Sequence, residues 1–175
     1  MLFKTSIQWC SLLFFLLWMN VYAQHGSKGW NSKKSIPKWV RQEFTAHHLD
    51  QEYDITYQLY PSYLEGDFNG DGRNDAAILV HEKSSGKFGI AIVHGKRPQA
   101  ISSIVTILGA DTQLGKAGKD FKWMKVWSLI EARTSSSLPK HLESRGDAIQ
   151  TGIPGGKTGI IYWDGKKYTW YEVHK

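Results

Sequence analysis

The fold of this chain is decided by residues 66–80, which read GDFNGDGRNDAAILV. In the first part, 66–75, oxygen-bearing side chains occupy alternate positions and glycines lie between them. Such a composition is typical of a tight turn. The five residues that follow, 76–80, are all apolar and favour a β-strand. The stretch therefore predicts a turn that leads directly into a strand.

Four side chains of this turn carry oxygen donors: Asp67, Asn69, Asp71 and Asp75. Alternate residues of a tight loop point towards a common centre, and the glycines let the backbone curl around that centre without steric cost. Several hard oxygen ligands around a small space are what Ca²⁺ requires. The sequence therefore predicts a calcium site, although Asp, Asn and Gly also form turns that hold no metal.

The spacing of these donors matches only the first three-quarters of an EF-hand loop. Counted from Asp67 as the first position, the twelfth position holds Ile78 where an EF-hand needs a bidentate Glu. Strand residues also follow where the second helix of an EF-hand would begin. The pattern disfavours an EF-hand and predicts modest affinity, in the range of roughly 10⁻⁴ to 10⁻³ M that is usual for extracellular calcium modules.

The pattern D-x-[DN]-x-D-G-x-x-D ahead of a strand resembles the calcium loops of FG-GAP and VCBS-type repeats. The resemblance covers residues 66–80 closely and residues 86–95 more loosely. It implies that Ca²⁺ is held by the backbone carbonyl of Arg73 together with four side chains: Asp67, Asn69, Asp71 and Asp75.

Repeats of that kind usually recur several times and build a β-propeller. The acidic motif occurs once in this chain. The chain is therefore more similar to small secreted bacterial proteins that carry a single motif. Those proteins have a similar ending, with a Gly-Asp-Ala-Ile strand at 146–149 and the run GIIYWDGKKYTWY at 159–171.

On either side of this stretch, the chain predicts an α+β domain. Ile36, Val40 and Phe44 recur at helical spacing, which predicts an amphipathic helix over about 36–49 that docks on a sheet. Residues 121–130 fit either a strand or a short helix, and 101–108 favour a strand over a helix. The other predicted strands are 53–60, 76–80, 88–94, 148–153, 157–163 and 168–173. The sum is a single domain with a mostly antiparallel β-sheet of five to seven strands and an N-terminal amphipathic helix.

The C-terminal hairpin is rich in aromatic residues. Asp164-Gly165 predicts a two-residue turn. We expect Trp163 and Trp170 to lie across from each other in the antiparallel hairpin around this turn. Buried aromatics fill cores, whereas exposed aromatics bind sugars or proteins. One face of a hairpin is normally core, so we expect most of these side chains to be buried and the rest to form a contact surface. The candidates are Tyr162, Trp163, Tyr168, Trp170 and Tyr171.

Residues 1–23 predict a secretion signal. Lys4 precedes the apolar run 11–21, and Val21-Tyr22-Ala23 places small residues ahead of a cut before Gln24. The run is shorter than the roughly 20 apolar residues of a membrane span. We therefore expect a secreted or periplasmic protein with a flexible leader at 24–35 and a single domain at 36–175.

The composition excludes several classes of function. The chain has one cysteine, Cys10, which lies in the predicted signal, so thiol catalysis and disulfides are not expected. The formal net charge of +6 is moderate and the lysines are scattered, which disfavours nucleic-acid binding. A Gly-x-Ser-x-Gly elbow is absent, and His81-Glu82 lacks the second His of a zinc-protease helix.

These expectations favour a non-catalytic, exported calcium-binding module that binds a protein or a polysaccharide of the cell envelope. One alternative is an immunity or inhibitor protein, which would show a broad exposed apolar patch and no cleft. The other is a small envelope hydrolase, which would need a cleft where two acids meet, lined by Glu131 or Asp147.

Overall fold

The apolar run after the acidic turn forms a long strand, Asp75–Glu82, which lies at the centre of the first of two sheets. The computed structural model describes residues 36–132, 138–139, 142 and 144–173. The strands within them are β1 (Tyr53–Ile55), β2 (Tyr63–Gly66), β3 (Asp75–Glu82), β4 (Phe88–Val93), β5 (Val105–Gly109), β6 (Val126–Ile130), β7 (Ala148–Gly152), β8 (Thr158–Trp163) and β9 (Tyr168–Val173).

The first sheet is centred on β3. Along one edge β3 pairs with both β1 and β2, and along the other edge it pairs with β4, which in turn pairs with β5. The second sheet is a simple meander in the order β6-β7-β8-β9. Every pairing in both sheets is antiparallel.

Helix α1 (Lys38–Ala46) covers one face of the first sheet. Val40 and Phe44 are one helical turn apart and are buried there, together with Ile36. A second short helix, α2 (Leu49–Glu52), leads into β1. None of the helices in the described part of the chain is long and apolar enough to cross a membrane.

The main core lies between the two sheets. The first sheet contributes Ala77, Leu79 and Ile90 to this core, and the second sheet contributes Ile149 and Ile161. The neighbouring residues of β3 face α1 instead, so residues 75–80 are buried on both faces. This double burial explains why the run 76–80 is continuously apolar instead of alternating.

The prediction of a mostly antiparallel β-structure in a single domain is confirmed, since all described residues fall in one compact unit, 32–175. The prediction of one sheet with five to seven strands is wrong, because nine strands divide into two sheets. The predicted strand at 53–60 ends at Ile55, and β2 was not predicted. Residues 121–130 resolve as a strand, β6, over their second half.

The predicted two-residue turn in the C-terminal hairpin is also wrong. Residues 164–167 form a four-residue connection in which Asp164 N donates to Lys167 O at 3.0 Å. The Asp164 carboxylate accepts the N–H groups of Lys166 and Lys167, which favours the wider turn. As a result Trp163 pairs with Tyr168 and Trp170 pairs with Ile161, so the expected pairing of Trp163 with Trp170 is wrong.

The hairpins β3–β4 and β7–β8 carry a repeated sequence. Residues 86–97 read GKFGIAIVHGKR and residues 156–167 read GKTGIIYWDGKK, with identity at six of twelve positions and a constant offset of 70. Gly89 pairs with Val80 in the first hairpin, and Gly159 pairs with Thr151 in the second. The matched glycines therefore occupy matched places in two equivalent hairpins.

The two equivalent hairpins stack with unlike faces in contact. Ile90 lies in the core between the sheets, whereas its counterpart Ile160 lies on the far face of the second sheet. Conversely, Ile161 lies between the sheets, whereas its counterpart Ala91 faces α1. The front face of one hairpin therefore packs on the back face of the other, as in tandem structural repeats.

Close packing at Gly159 gives a test of the second sheet. A Cβ atom at this position would lie 2.1 Å from Cζ2 of Trp170. We expect Gly159→Ala to lower the free energy of unfolding by about 1–3 kcal/mol, because an added methyl group would force the indole out of place. Urea denaturation measures the change.

Two further variants make this test specific. Trp170→Leu in the Gly159→Ala background should recover part of the lost stability, because the residue that clashes has been shortened. Gly156→Ala is the control in the same hairpin, since its Cβ would meet Ile153 Cβ at 3.3 Å and no ring. Equal losses in Gly159→Ala and Gly156→Ala would contradict the packing described.

Candidate functional site

The acidic loop, residues 67–74, joins β2 to β3 at the end of the first sheet. Its backbone turns through left-handed conformations at Gly70 and Gly72, with φ of 72° and 80°. Glycine adopts such angles at no steric cost, so the loop closes on itself within a few residues. Each of the four predicted ligand side chains is at least half-buried, and Asp75 is fully buried.

Three of the predicted ligand side chains turn towards backbone N–H groups of their own loop. Asp67 Oδ1 and Asn69 Oδ1 both accept the N–H of Asp71, at 2.9 and 3.0 Å. Asp67 Oδ2 accepts the N–H of Gly72 at 2.8 Å, and Asp71 Oδ1 accepts that of Arg73 at 3.0 Å. The side-chain oxygens of Asp67 and Asn69 therefore converge on one point, the amide of Asp71.

The fourth side chain, Asp75, ties the loop to its surroundings. Asp75 Oδ2 accepts the N–H of Phe68 at 3.0 Å, and Oδ1 accepts the N–H of Gly95 at 2.7 Å. His94 Nδ1 lies 3.2 Å from Asp75 Oδ2. A carboxylate without exposed surface needs such donors, because an unpartnered buried charge is strongly destabilising.

The same imidazole nitrogen also faces Asn69, whose Nδ2 lies 3.1 Å from His94 Nδ1. The tautomer of His94 decides between these two contacts, because a protonated Nδ1 donates to Asp75 and an unprotonated Nδ1 accepts from the Asn69 amide. His94 therefore connects Asp75 to Asn69 beside the loop.

A second carboxylate, Asp147, holds the start of the loop from the other sheet. Asp147 Oδ2 accepts the N–H of Asp67 at 3.0 Å, and Asp147 N donates to Asp67 O at 2.8 Å. Its other oxygen accepts the N–H of Ala132 at 2.9 Å. The sequence indicates Asp147 only as a candidate catalytic acid. The run Asp-Ala-Ile at 147–149, which repeats the Asp-Ala-Ala-Ile of 75–78, is the signal that could have indicated its place.

The loop and the segment before β7 are in direct backbone contact. A Cβ at Gly70 would lie 1.9 Å from Arg145 O, and a Cβ at Gly146 would lie 2.3 Å from Asp67 O. No side chain larger than hydrogen fits at either place. This close approach explains why glycine occupies both sides of the contact, at positions 70 and 146.

The donor chemistry of the loop fits Ca²⁺ best at Asp67, Asn69 and Asp71. Each of their bonded oxygens has two lone pairs, and one remains where a single N–H is accepted. The fit is weakest at Asp75, whose two oxygens already contact two backbone N–H groups and the His94 ring. Arg73, predicted to contribute its carbonyl, also places Nη1 3.0 Å from Asp71 Oδ2.

Within the described ranges, no group of three or more His, Cys, Asp or Glu side chains is arranged to hold a metal ion. A calcium site in this loop would therefore depend on neutral oxygens as well. The predicted set supplies two of these, the Asn69 amide and the Arg73 carbonyl. Both are oxygen types that Ca²⁺ accepts.

The structure divides the aromatic residues of the C-terminal hairpin between the two faces of the second sheet. Trp163, Tyr168 and Trp170 pack against the core between the sheets. Tyr162 and Tyr171 lie on the far face, beside Ile160. Only Tyr168 is fully buried. The five side chains therefore do not form one continuous platform.

Tyr168 connects this aromatic cluster to the acidic loop. Its ring stacks on His94, with centroids 6.0 Å apart. Burial raises the pKa of Tyr168 above its ordinary value, and the charges of Asp75, Asp67 and Asp71 raise it further. The hydroxyl has no hydrogen-bond partner among the described residues. The negative potential of the loop therefore extends into the core between the sheets.

No protein-family model matches this chain, and neither a curated protein nor a solved structure is detectably similar to it. The resemblance of residues 66–80 to FG-GAP and VCBS-type loops stays a prediction.

Asp147→Ala tests whether the loop is held from the second sheet. We expect this change to lower the free energy of unfolding by about 2–3 kcal/mol, because two backbone N–H groups lose a charged acceptor. Asp164→Ala is a matched control, since Asp164 also accepts two backbone N–H groups but in an exposed turn. Urea denaturation should show the larger loss for Asp147→Ala, and the opposite order would contradict the arrangement.

Tyr168→Phe tests the raised pKa and the unpartnered hydroxyl of Tyr168. A folded pKa above the unfolded value means that the protonated form stabilises the fold below about pH 10 and that this stability is lost at higher pH. We expect Tyr168→Phe to equal or exceed the wild type by about 1 kcal/mol at neutral pH, because an unpartnered hydroxyl is removed. It should also lose less stability between about pH 9 and pH 11.

Chemical denaturation at neutral and alkaline pH measures both effects. Tyr57→Phe serves as the control for removing a tyrosine hydroxyl elsewhere. If Tyr168→Phe and the wild type lost the same stability on going to alkaline pH, the raised pKa of Tyr168 would be contradicted.

Proposed function

We propose that this chain is an exported, non-catalytic calcium-binding module of the cell envelope that binds a protein or a polysaccharide. The ion would have a structural role in the loop 67–75. The proposal combines the resemblance of this loop to FG-GAP and VCBS-type calcium loops with the geometry of its side chains. Export depends on the predicted signal 1–23, which lies outside the described residues.

The observation that carries the proposal is the convergence of oxygens inside the loop. Asp67 Oδ1 and Asn69 Oδ1 share the Asp71 amide as donor, and no predicted ligand side chain is exposed. Carboxylates held this close repel one another, and a divalent cation would remove that repulsion. Asp67, Asn69 and Asp71 would hold Ca²⁺ with the Arg73 carbonyl, and Asp75 would complete the set from beneath the loop.

The surroundings of the loop favour a structural role over catalysis. Asp147, the acid considered for a hydrolase, accepts hydrogen bonds from two backbone N–H groups and so acts as an anchor. The immunity alternative requires a broad apolar patch. The large apolar side chains exposed in the described ranges are Tyr60, Ile101, Ile104 and Val126, of which only Ile101 and Ile104 share a loop.

Calcium should raise the melting temperature of the purified protein. For a dissociation constant of roughly 10⁻⁴ to 10⁻³ M, about 10 mM calcium would stabilise the fold by about 1.4–2.7 kcal/mol, since the ion binds the folded loop only. For a chain of this size the melting temperature would rise by roughly 3–10 °C. Asp71→Ala should abolish the rise, and calorimetric melts with and without calcium measure it.

Asp54→Ala is the control for loss of an acidic side chain outside the loop, because Asp54 lies on β1 in an exposed pair with Lys83. This variant should keep the full response to calcium. Magnesium at the same concentration should have a smaller effect, since it demands a more regular set of ligands. A wild-type melt that does not respond to calcium would overturn the proposal.

A further inference from the structure

A pocket opens beside the acidic loop, between the loop and the connection from β4 to β5. Its volume is about 240 Å³, and its lining includes Asn69, His94, Lys96, Arg97, Ser103 and Ile104. The pocket shares Asn69 and Asp71 with the predicted calcium loop. It is otherwise built from residues 94–104, which the proposed function does not use.

The charges around this pocket do not cancel. Asp71, which also lines the pocket, is paired with Arg73 at 3.0 Å. Asp75, which lies behind His94, is engaged with that imidazole. Lys96 and Arg97 are exposed and form no ion pair within the described ranges. The pocket therefore carries an excess of positive charge, which favours an anion.

Ser103 provides an independent indication of a ligand. Ser103 lines the pocket and is only 4 % exposed, and its Oγ has no hydrogen-bond partner in the described part of the chain. The backbone of Ser103 is fixed on both sides, because its N–H donates to Glu43 Oε2 and its carbonyl lies 2.7 Å from His47 Nε2. A buried hydroxyl held in place without a partner is costly unless something else binds it.

The pocket also offers an amide donor and an apolar wall. Asn69 lines the pocket, and its NH₂ group has a second N–H besides the one that faces His94 Nδ1. Ile104 lines the same pocket although 65 % of its surface is exposed. The donors and the apolar wall together suit a molecule that has an anionic group and a less polar body.

We propose that this pocket binds one oxyanion, a carboxylate or a phosphate carried by a small molecule or by a sugar unit of a larger polymer. Arg97 and Lys96 supply the charge, and the fork of the Arg97 guanidinium matches two oxygens of either group. Ser103 Oγ and Asn69 Nδ2 donate to the remaining oxygens. The site does not require calcium, so it stands or falls separately from the proposed function.

The experiment is a titration of the purified protein with three probes: inorganic phosphate, acetate and D-glucuronate. Binding is followed by ¹H–¹⁵N NMR of Gly95, Ser103 and Ile104 and by calorimetry, without added calcium. We expect Arg97→Ala to weaken binding by about tenfold or more, because a charge-assisted pair is lost. Ser103→Ala should weaken binding without lowering stability, since its hydroxyl has no partner to lose in the described structure.

The repeated sequence supplies a matched control. Lys167 occupies the place of Arg97 in the second hairpin, at an offset of 70, and is exposed like it. Lys167→Ala should leave the affinity unchanged. Raising the salt concentration from about 50 to 500 mM should weaken binding, because an exposed cation is screened.

The three probes distinguish a phosphate ligand from a carboxylate ligand and from a sugar acid. Binding of phosphate but not of the carboxylates would identify a phosphate ligand, and binding of acetate or glucuronate would identify a carboxylate ligand. Tighter binding of glucuronate than of acetate would favour a sugar acid. If the wild type bound none of the probes, or if Lys167→Ala weakened binding as much as Arg97→Ala, the proposal would be wrong.

Discussion

Two carboxylates hold the acidic loop in place, one from each sheet, and the rest of the fold depends on this joint. Asp75 accepts the N–H of Phe68, and Asp147 accepts the N–H of the preceding residue, Asp67. Both acceptors stand next to apolar strands that pack into the core. The loop is therefore not an appendage of β2 and β3 but the place where the two sheets are connected, which explains the glycines at the contact.

Local sequence was enough to predict the elements whose neighbours in space are also neighbours in the chain. The apolar run of β3 and the strand β4 follow from composition and periodicity, because they form one hairpin. The role of Asp147 could not be predicted in this way, since its partner Asp67 lies 80 positions earlier. The C-terminal turn was mispredicted because the Asp164 carboxylate competes for backbone N–H groups, an effect that the dipeptide Asp-Gly does not reveal.

The cost of burying an unpartnered charge explains both the acidic loop and the basic pocket beside it. The carboxylates of the loop are turned inwards, where backbone N–H groups and His94 satisfy them. Lys96 and Arg97 remain on the outside. The surface near the loop is for this reason more cationic than the sequence of residues 67–75 suggests. In the core, burial raises the pKa of Tyr168 and the charges of these carboxylates raise it further.

The one-directional stacking of the two hairpins has a consequence for solubility. A contact between unlike faces does not close into a symmetric pair. If the outer face of such a stack were uncovered, further copies would be able to add to it without limit. Helix α1 occupies the apolar side of the first sheet through Val40 and Phe44, and so ends the series there. This nine-residue helix therefore covers the face on which a further unit would stack, in addition to packing against the sheet.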